Sequence, residues 1–468
     1  MRDSLLKIIL TNTLRLSDIP PEIWTQLTDT LTFPNPKWQE NARMGRWNRG
    51  TPKMLKYYDK IRGGGLWMIR GGGLWIPRGY MRQLLLLCRR RGVTYEIDDR
   101  RPTRTPVNFK FAGKLKPFQQ KAVRTMISRD FGTLNAPTGS GKTVMALYII
   151  ARRKLPALIV VHTKDLAYQW IDRIGQFLGI PEDDVGFIGG GKVRMGEKMT
   201  VALVQTLYKC AEDVSKHIGF LIVDECHRCP SRTFTEAVTE FDSRYMLGLS
   251  ATPFRRDNLS RLIFWHLGDV HHKIDQSRLV ESGDVLAAEV IVRETDFKPY
   301  FDPVNEYSKM LSELVMDDRR NRLIASDIEK EVHDNDGVCL VLSDRKKHCE
   351  TLQALLRYRY KISSELLTGD LSGSERRAVL DRLDQGDVKV LIATGQLIGE
   401  GFDRKELSPL FLATPIKFRG RVLQYLGRVL RPAPGKRIAR VYDYVDVHVD
   451  VLKAAARARQ KAYSGRSA

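Results

Sequence analysis

Between residues 115 and 264, short aliphatic runs alternate with amphipathic stretches; residues 157–161, 199–204, 220–223 and 245–249 are almost free of polar positions. Runs of four to six residues without polar alternation predict strands buried on both faces, and helices between them make the strands parallel. The rhythm predicts a doubly wound α/β domain. It returns between about residues 321 and 449, where residues 338–342, 388–393 and 409–412 read as strands and about 345–360 as a helix. Ser372-Gly373-Ser374-Glu375 has the spacing of a capping box opening a further helix. The first 108 residues follow neither rhythm. There a helix over residues 80–91 should stop at Gly92 and give way to a strand over 93–97. Residues 100–106, with two prolines and three arginines, read as a linker, and the basic stretch after Asp450 as a helix-prone, frayed tail. A chain of 468 residues should hold two to four domains. The expected partition is an accessory domain 1–108, parallel-sheet domains 109–285 and 286–450, and a basic tail 451–468.

Charge adds a partner. Lys plus Arg number 77 against 55 Asp plus Glu, a net charge of +22, which favours a polyanion. From Lys37 to Arg104 there are 17 basic and 5 acidic residues, and residues 1–108 hold Trp24, Trp38, Trp47, Trp67 and Trp75, five of the seven tryptophans. Aromatics interleaved with arginine can stack bases and neutralise phosphates, although a core role is the plainer reading for most of these tryptophans. The region is expected to be a small α+β domain that senses damage or junctions. Residues 62–69 are nearly repeated at 70–77, two copies being too few for a repeat array.

No apolar run approaches the roughly 18 residues that span a bilayer, and Lys7 interrupts any signal-peptide core. Six cysteines in so long a chain suit a reducing compartment. A soluble protein of a prokaryotic or phage-infected cytoplasm is expected, with no membrane partner. Cys226 and Cys229 form a Cys-x-x-Cys, but no second pair stands at zinc-ribbon spacing, so zinc is not expected.

The chemistry sits in two stretches. Ala136-Pro137-Thr138-Gly139-Ser140-Gly141-Lys142-Thr143 opens an apolar helix, the setting in which backbone N–H groups cradle phosphates. Lys142 can reach the β- and γ-phosphates, and the Thr143 hydroxyl can ligate Mg²⁺. Ala136 replaces the first glycine of the usual phosphate-loop pattern. Residues 220–223 deliver Asp224-Glu225-Cys226-His227 at a strand end. Asp224 is placed to hold the metal through its water shell, and Glu225 to orient and deprotonate the attacking water. In this order the two stretches predict a nucleoside triphosphate hydrolase.

The motif order resembles superfamily 2 helicases over about 330 residues, and the Asp-Glu-x-His box looks most like the XPB-like group, including phage helicases that remodel branched DNA. The resemblance implies two tandem RecA-like domains. Leu115-Lys116-Pro117-Phe118-Gln119 looks like the adenine-reading motif, with Phe118 and Gln119 at the base. His162, Thr163 and Lys164, with Gln205 and Thr206, look like first-domain motifs that touch the nucleic-acid backbone; Thr368 and Thr394 take that role in the second domain. Ser250-Ala251-Thr252 matches the motif coupling hydrolysis to domain movement, with His227 and Gln424 assigned to the same coupling. Gly401 and Asp403 match the second-domain motif that lines the nucleotide cleft. Residues 424–431 match the closing motif whose Arg428 and Arg431 are arginine fingers. Where relatives can carry Arg-Glu-Asp, this chain has Arg255-Arg256-Asp257, lacking the central acid; Arg255 and Arg256 are read as DNA contacts.

The expected machine is an ATP- and Mg²⁺-dependent helicase or translocase, monomeric, acting on forked, branched or partly single-stranded DNA in repair, recombination or replication. An RNA helicase with the same core, a motor subunit of a restriction or defence complex, and a regulatory nucleotide switch are the alternatives. Retention of Glu225 with both arginines argues against the last.

Overall fold

The computed structural model of the chain describes residues 5–61, 72–228, 232–251, 259–335, 337–399, 407–416, 422, 425–427, 429–430, 432–433, 436 and 438–463. They form two compact units, one of residues 1–136 and 141–274, the other of residues 137–140 and 275–468.

The first unit is built on an eight-stranded sheet in the order Lys192–Arg194, Gly186–Gly189, Met199–Leu203, Ala157–Val161, Phe220–Val223, Tyr245–Ser250, Phe131–Asn135, Val270–Lys273. Every pairing is parallel except the edge hairpin 186–189/192–194. Strands Ala157–Val161, Met199–Leu203 and Phe220–Val223 are buried along their whole length, which is why they lack polar positions. The run expected over 199–204 ends one residue early, because Val204 opens the short helix Val204–Leu207.

The N-terminal residues add a five-stranded sheet in the order Asp59–Ile61, Gly73–Pro77, Thr13–Ser17, Leu6–Leu10, Tyr95–Asp99. Helix Met81–Arg91 ends at Gly92 in the left-handed region (φ 66°), and the Val93 N–H closes the last turn on Cys88 O at 2.9 Å. That closure uses Val93, so the following strand begins at Tyr95 rather than at 93. Of the near-repeat, Gly73–Pro77 is a strand; residues 62–71, with Trp67 and the whole first copy, lie outside the described residues.

This sheet has no private core. Leu262 and Trp265 of helix Ser260–Leu267 join Leu6, Ile8, Leu14, Ile23 and Leu84 in one apolar cluster. Gly79 lies so close to the end of that helix that a Cβ would meet Gly268 N at 2.5 Å. Arg78 is buried and donates to Thr11 O at 3.3 Å and Ser243 O at 2.8 Å, bridging the two sheets. Residues 100–106 have no regular structure, yet they are not a loose linker. Arg101 donates to Asp99 and Asp130 carboxylates and to Arg244 O, and Arg104 donates to Asp242 and Ser215 O.

The second unit is a six-stranded, all-parallel sheet in the order Ala288–Thr295, Ala439–Asp446, Leu407–Leu412, Val338–Ser343, Val390–Thr394, Glu365–Leu367. The box at Ser372 and Glu375 forms: Ser372 Oγ accepts the Glu375 N–H at 3.3 Å, and Glu375 Oε2 accepts the Ser372 N–H at 2.8 Å. Strands Ala288–Thr295 and Ala439–Asp446 escaped the hydrophobic reading because charged residues interrupt both. The tail is a correction: residues 450–463 are a docked helix, not a frayed one. Leu452, Ala455 and Ala456 are buried, and the Arg459 guanidinium bonds both oxygens of buried Asp443, at 2.9 and 3.0 Å. A basic residue that reads as solvated is here half of a buried ion pair.

Candidate active site

Strand Phe131–Asn135 leads into the phosphate loop, anchored where the Ala136 N–H donates to Ser250 O at 3.0 Å. Gly139 and Gly141 have φ of +87° and +81°, a region that disfavours any side chain. Gly141 is constrained twice, since a Cβ there would stand 2.5 Å from Gln119 Nε2. Ser140 bonds Pro137 O through its N–H and its hydroxyl, closing the turn. The Thr138 hydroxyl is buried with no partner among the described residues. Helix Lys142–Arg153 starts at Gly141 with no side-chain cap, so its first N–H groups are available to an anion. Thr143, half-buried, sits in that first turn.

Lys142 Nζ lies 3.3 Å from Ala136 O and 3.8 Å from Glu225 Oε1. Glu225 adopts φ of +46°, uncommon for a residue with a side chain. Its other oxygen is 3.2 Å from His227 Nδ1, and the same nitrogen is 3.1 Å from the Ser250 hydroxyl. A continuous polar chain therefore runs from Lys142 through Glu225 and His227 to Ser250, joining phosphate loop, acidic box and the first residue of the Ser-Ala-Thr motif.

Asp224 is buried at the end of strand Phe220–Val223. Oδ1 accepts the Glu225 N–H and Oδ2 the Trp170 indole N–H, both at 2.8 Å. Burial, then the neighbouring Glu225 charge, pushes its carboxyl up to about 6, against the pull of Lys142 and Trp170. A buried carboxylate held at such a cost within the field of a lysine is suited to a cation that restores its charge. Trp170, on helix Lys164–Leu178, was invisible to sequence reading, because a tryptophan on the apolar face of an amphipathic helix reads as core.

The remaining assigned residues take varied positions. Gln119 is buried and accepts the Lys116 N–H at 2.9 Å, capping its own helix beside Gly141; Phe118 is half-buried next to it. His162 is held neutral, its imidazole lowered to about 4 by burial and then by the charges of Arg228 and His227. Gln205 donates to His162 O at 3.3 Å and is exposed, as is Lys164, whereas Thr206 is half-buried. Thr163 accepts the Leu166 N–H at 3.3 Å and so caps helix Lys164–Leu178. Thr368 and Thr394 are half-buried at strand ends of the second unit. Ala251 follows Ser250, while Thr252, Arg255, Arg256, Gly401, Asp403, Gln424, Arg428 and Arg431 lie outside the described residues, as does Cys229. Among the described residues no His, Cys, Asp and Glu cluster could hold a metal by itself, and no helix is long and apolar enough to cross a membrane.

Comparison with known proteins covers both units. Residues 112–255 match the family described as type III restriction enzyme, res subunit, and residues 322–433 the helicase conserved C-terminal domain. A putative ATP-dependent RNA helicase of Acanthamoeba polyphaga mimivirus is 29% identical over 362 residues, covering 75% of this chain and 67% of that one. A DNA 3′-5′ translocase of the XPB kind from Sulfurisphaera tokodaii is 27% identical over 357 residues, covering 68% of this chain and 79% of that one. In fold, the chain is similar to a fragment of a putative HsdR subunit of a type I restriction enzyme from Vibrio vulnificus. That likeness has a TM-score of 0.58 at 18% identity, covering 76% of this chain and 68% of that one. With tandem parallel-sheet domains, both helicase halves matched in order and a phosphate loop joined to its acidic box, the chain belongs to the superfamily 2 helicases and is an ATP-hydrolysing enzyme.

Proposed function

We infer that the chain is an ATP-driven DNA translocase that remodels forked or branched DNA. The observation that carries the motor is the polar chain Lys142–Glu225–His227–Ser250, which links the group that meets the γ-phosphate to the coupling motif. Lys142 neutralises charge developing on the transferred phosphoryl group, and Glu225 accepts a proton from the attacking water. Asp224 and Thr143 would hold Mg²⁺, which supplies further charge neutralisation at the phosphates. The buried, donor-rich Asp224 carboxylate and the uncapped helix beside it fit such a group. Arg428 and Arg431 are assigned as fingers by their motif alone.

The net charge of +22 and the XPB-kind relative support DNA as the track. Backbone contacts should dominate, giving weak sequence preference and strong salt dependence. The RNA-helicase name of the mimivirus relative keeps a second reading in play, and the 2′-OH separates the two. The deciding experiment measures ATPase stimulation by single-stranded, duplex, forked and four-way DNA beside matched RNA. Highest stimulation by forked or four-way DNA is expected; equal or greater stimulation by RNA overturns the DNA assignment. Lys142→Ala and Glu225→Gln should abolish hydrolysis while DNA binding persists, and normal turnover by either would remove the motor reading. Arg428→Ala should slow hydrolysis by roughly 10³-fold without loss of folding.

A further inference from the structure

Among the described tryptophans Trp47 stands apart at 89% exposed, against 43% for Trp75, while Trp170 and Trp265 are buried and Trp24 and Trp38 half-buried. One exposed apolar residue needs no explanation by itself. Three features around Trp47 supply a reason for it.

The loop that carries it is built. Strands Thr32–Pro34 and Met54–Lys56 pair at its base, and helix Pro36–Arg43 rises between them. Asn35 caps that helix, accepting the Lys37 N–H at 3.0 Å, and donates to Pro52 O at 2.9 Å. Past the helix, the Arg46 N–H donates to Asn41 O at 2.8 Å, Asn41 Nδ2 to Asn48 Oδ1 at 3.1 Å and Asn48 Nδ2 to Trp38 O at 3.2 Å. These bonds fix the residues on either side of Trp47 and leave its indole facing solvent.

The surroundings are cationic. Residues 37–60 hold seven Lys or Arg against two Asp or Glu, and Arg43, Arg46, Arg49 and Lys53 are all exposed. Finally, the base of the loop bears on the motor lobe. Phe33 and Tyr57 stack at 5.7 Å, and both rings pack on Trp265, at 5.8 and 5.7 Å. Helix Ser260–Leu267, which carries Trp265, is the next described helix after strand Tyr245–Ser250, whose last residue bonds His227.

We propose that Trp47 is a stacking platform for an unpaired base at a boundary between single-stranded and duplex nucleic acid, with Arg46 and Arg49 on the flanking phosphates. Every base has a π-face, so such a platform reads no sequence. Bases inside a duplex are already stacked, so the platform selects an open end or a junction. Basic side chains set the affinity's salt dependence, and the indole adds the preference for an unpaired base. The base of the loop places any bound junction in mechanical contact with the helix after the coupling strand.

The inference rests on the nucleic-acid motor reading, but its test needs no ATP, so its failure leaves the hydrolysis experiments untouched. The full-length protein is titrated into forked and fully duplex DNA carrying 2-aminopurine, placed at the fork junction or within the duplex. Binding should quench the junction probe and leave the duplex probe unchanged. Trp47→Ala should lose the quenching and weaken fork binding by about five- to 150-fold. Trp47→Phe should retain part of both, which separates stacking from a folding defect. Arg46→Ala with Arg49→Ala should flatten the slope of log affinity against log salt by about 1.4 to 1.8. Quenching by Trp47→Ala equal to the wild type, or absence of junction quenching in the wild type, overturns the proposal; the second outcome would make the patch a purely electrostatic surface or a protein-docking face.

Discussion

Replacing Gly79 by alanine asks whether the N-terminal sheet is structurally part of the first motor lobe. The added Cβ would stand 2.5 Å from Gly268 N and 2.7 Å from both Phe264 O and Trp265 O. All three are backbone atoms, so no rotamer change relieves the overlap. Ordinary contact begins near 3.4 Å, and the two elements must therefore part by roughly 0.9 Å. A gap of that size forfeits about a quarter to a half of each dispersion well along the seam. The thinned contacts would include the edge-on packing of Tyr80 on Trp265, at 6.2 Å between centroids. Overpacking of this kind costs about 1–3 kcal/mol, and contact with rigid backbone places Gly79→Ala near the top of that range. Urea denaturation of the full chain measures it, with Gly92→Ala as the control. Gly92 has φ of +66° and nothing within 4 Å of an added Cβ, so that variant loses only a backbone preference, about 1 kcal/mol. If Gly79→Ala is no less stable than Gly92→Ala, the close approach is not a structural seam and the shared-core reasoning fails. The same seam bears on a blunter experiment. Deleting residues 1–108 would uncover Leu262 and Trp265, so an equal loss of DNA binding and ATPase would report damage to the lobe and not the role of the accessory sheet.

Three further outcomes follow from single contacts. Trp170→Phe keeps an aromatic ring, though a smaller one, but removes the N–H on Asp224 Oδ2, and should lower turnover about 10- to 100-fold while raising the Mg²⁺ needed for half-maximal rate; a wild-type Mg²⁺ titration would show that Asp224 does not depend on that bond. Arg459→Ala leaves the buried Asp443 carboxylate without its cation, with the Tyr463 hydroxyl still donating to it, and should destabilise the second lobe by about 3–5 kcal/mol in denaturant; a loss below about 1 kcal/mol would mean that the helix is not docked through this pair. Burial lowers the imidazoles of His162 and His266 to about 4 and of His348 to about 3, from an ordinary value of 6.5. Below 6.5 the unfolded chain takes up protons that the folded chain refuses, so stability falls as pH drops from about 6.5 toward 4, by up to about 1.4 kcal/mol per unit for each group. His266→Leu should remove that group's own share, up to about 1.4 kcal/mol per pH unit between about 6.5 and 4, in melts run at pH 7, 6 and 5; an unchanged slope would show that His266 does not contribute.

What the sequence disclosed and what it hid divide along one physical line. Strands 157–161 and 220–223 were legible because burial on both faces excludes polar residues, leaving an unbroken aliphatic run. The phosphate loop was legible because its geometry admits few residue types: Gly139 and Gly141 need positive φ, and Gly141 has no room for a Cβ. Long-range partners left no such trace. Arg101, Arg104 and Arg459 look like surface charges in one dimension, and each finds its carboxylates only after folding. Trp170 and Trp265 are both buried tryptophans on amphipathic helices, yet one orients a carboxylate through its N–H and the other joins the core of a second sheet. Nothing in the spacing separates these roles, since each depends on what approaches from a distant part of the chain. The same reasoning applies in reverse to Trp47, which lies in a run of tryptophans that favours a core role by composition. Its neighbours spend their hydrogen bonds on one another and leave the indole in water. An aromatic held that way, with exposed arginines at 43, 46 and 49 flanking it in sequence, is explained by a partner outside the chain more readily than by any contact within it.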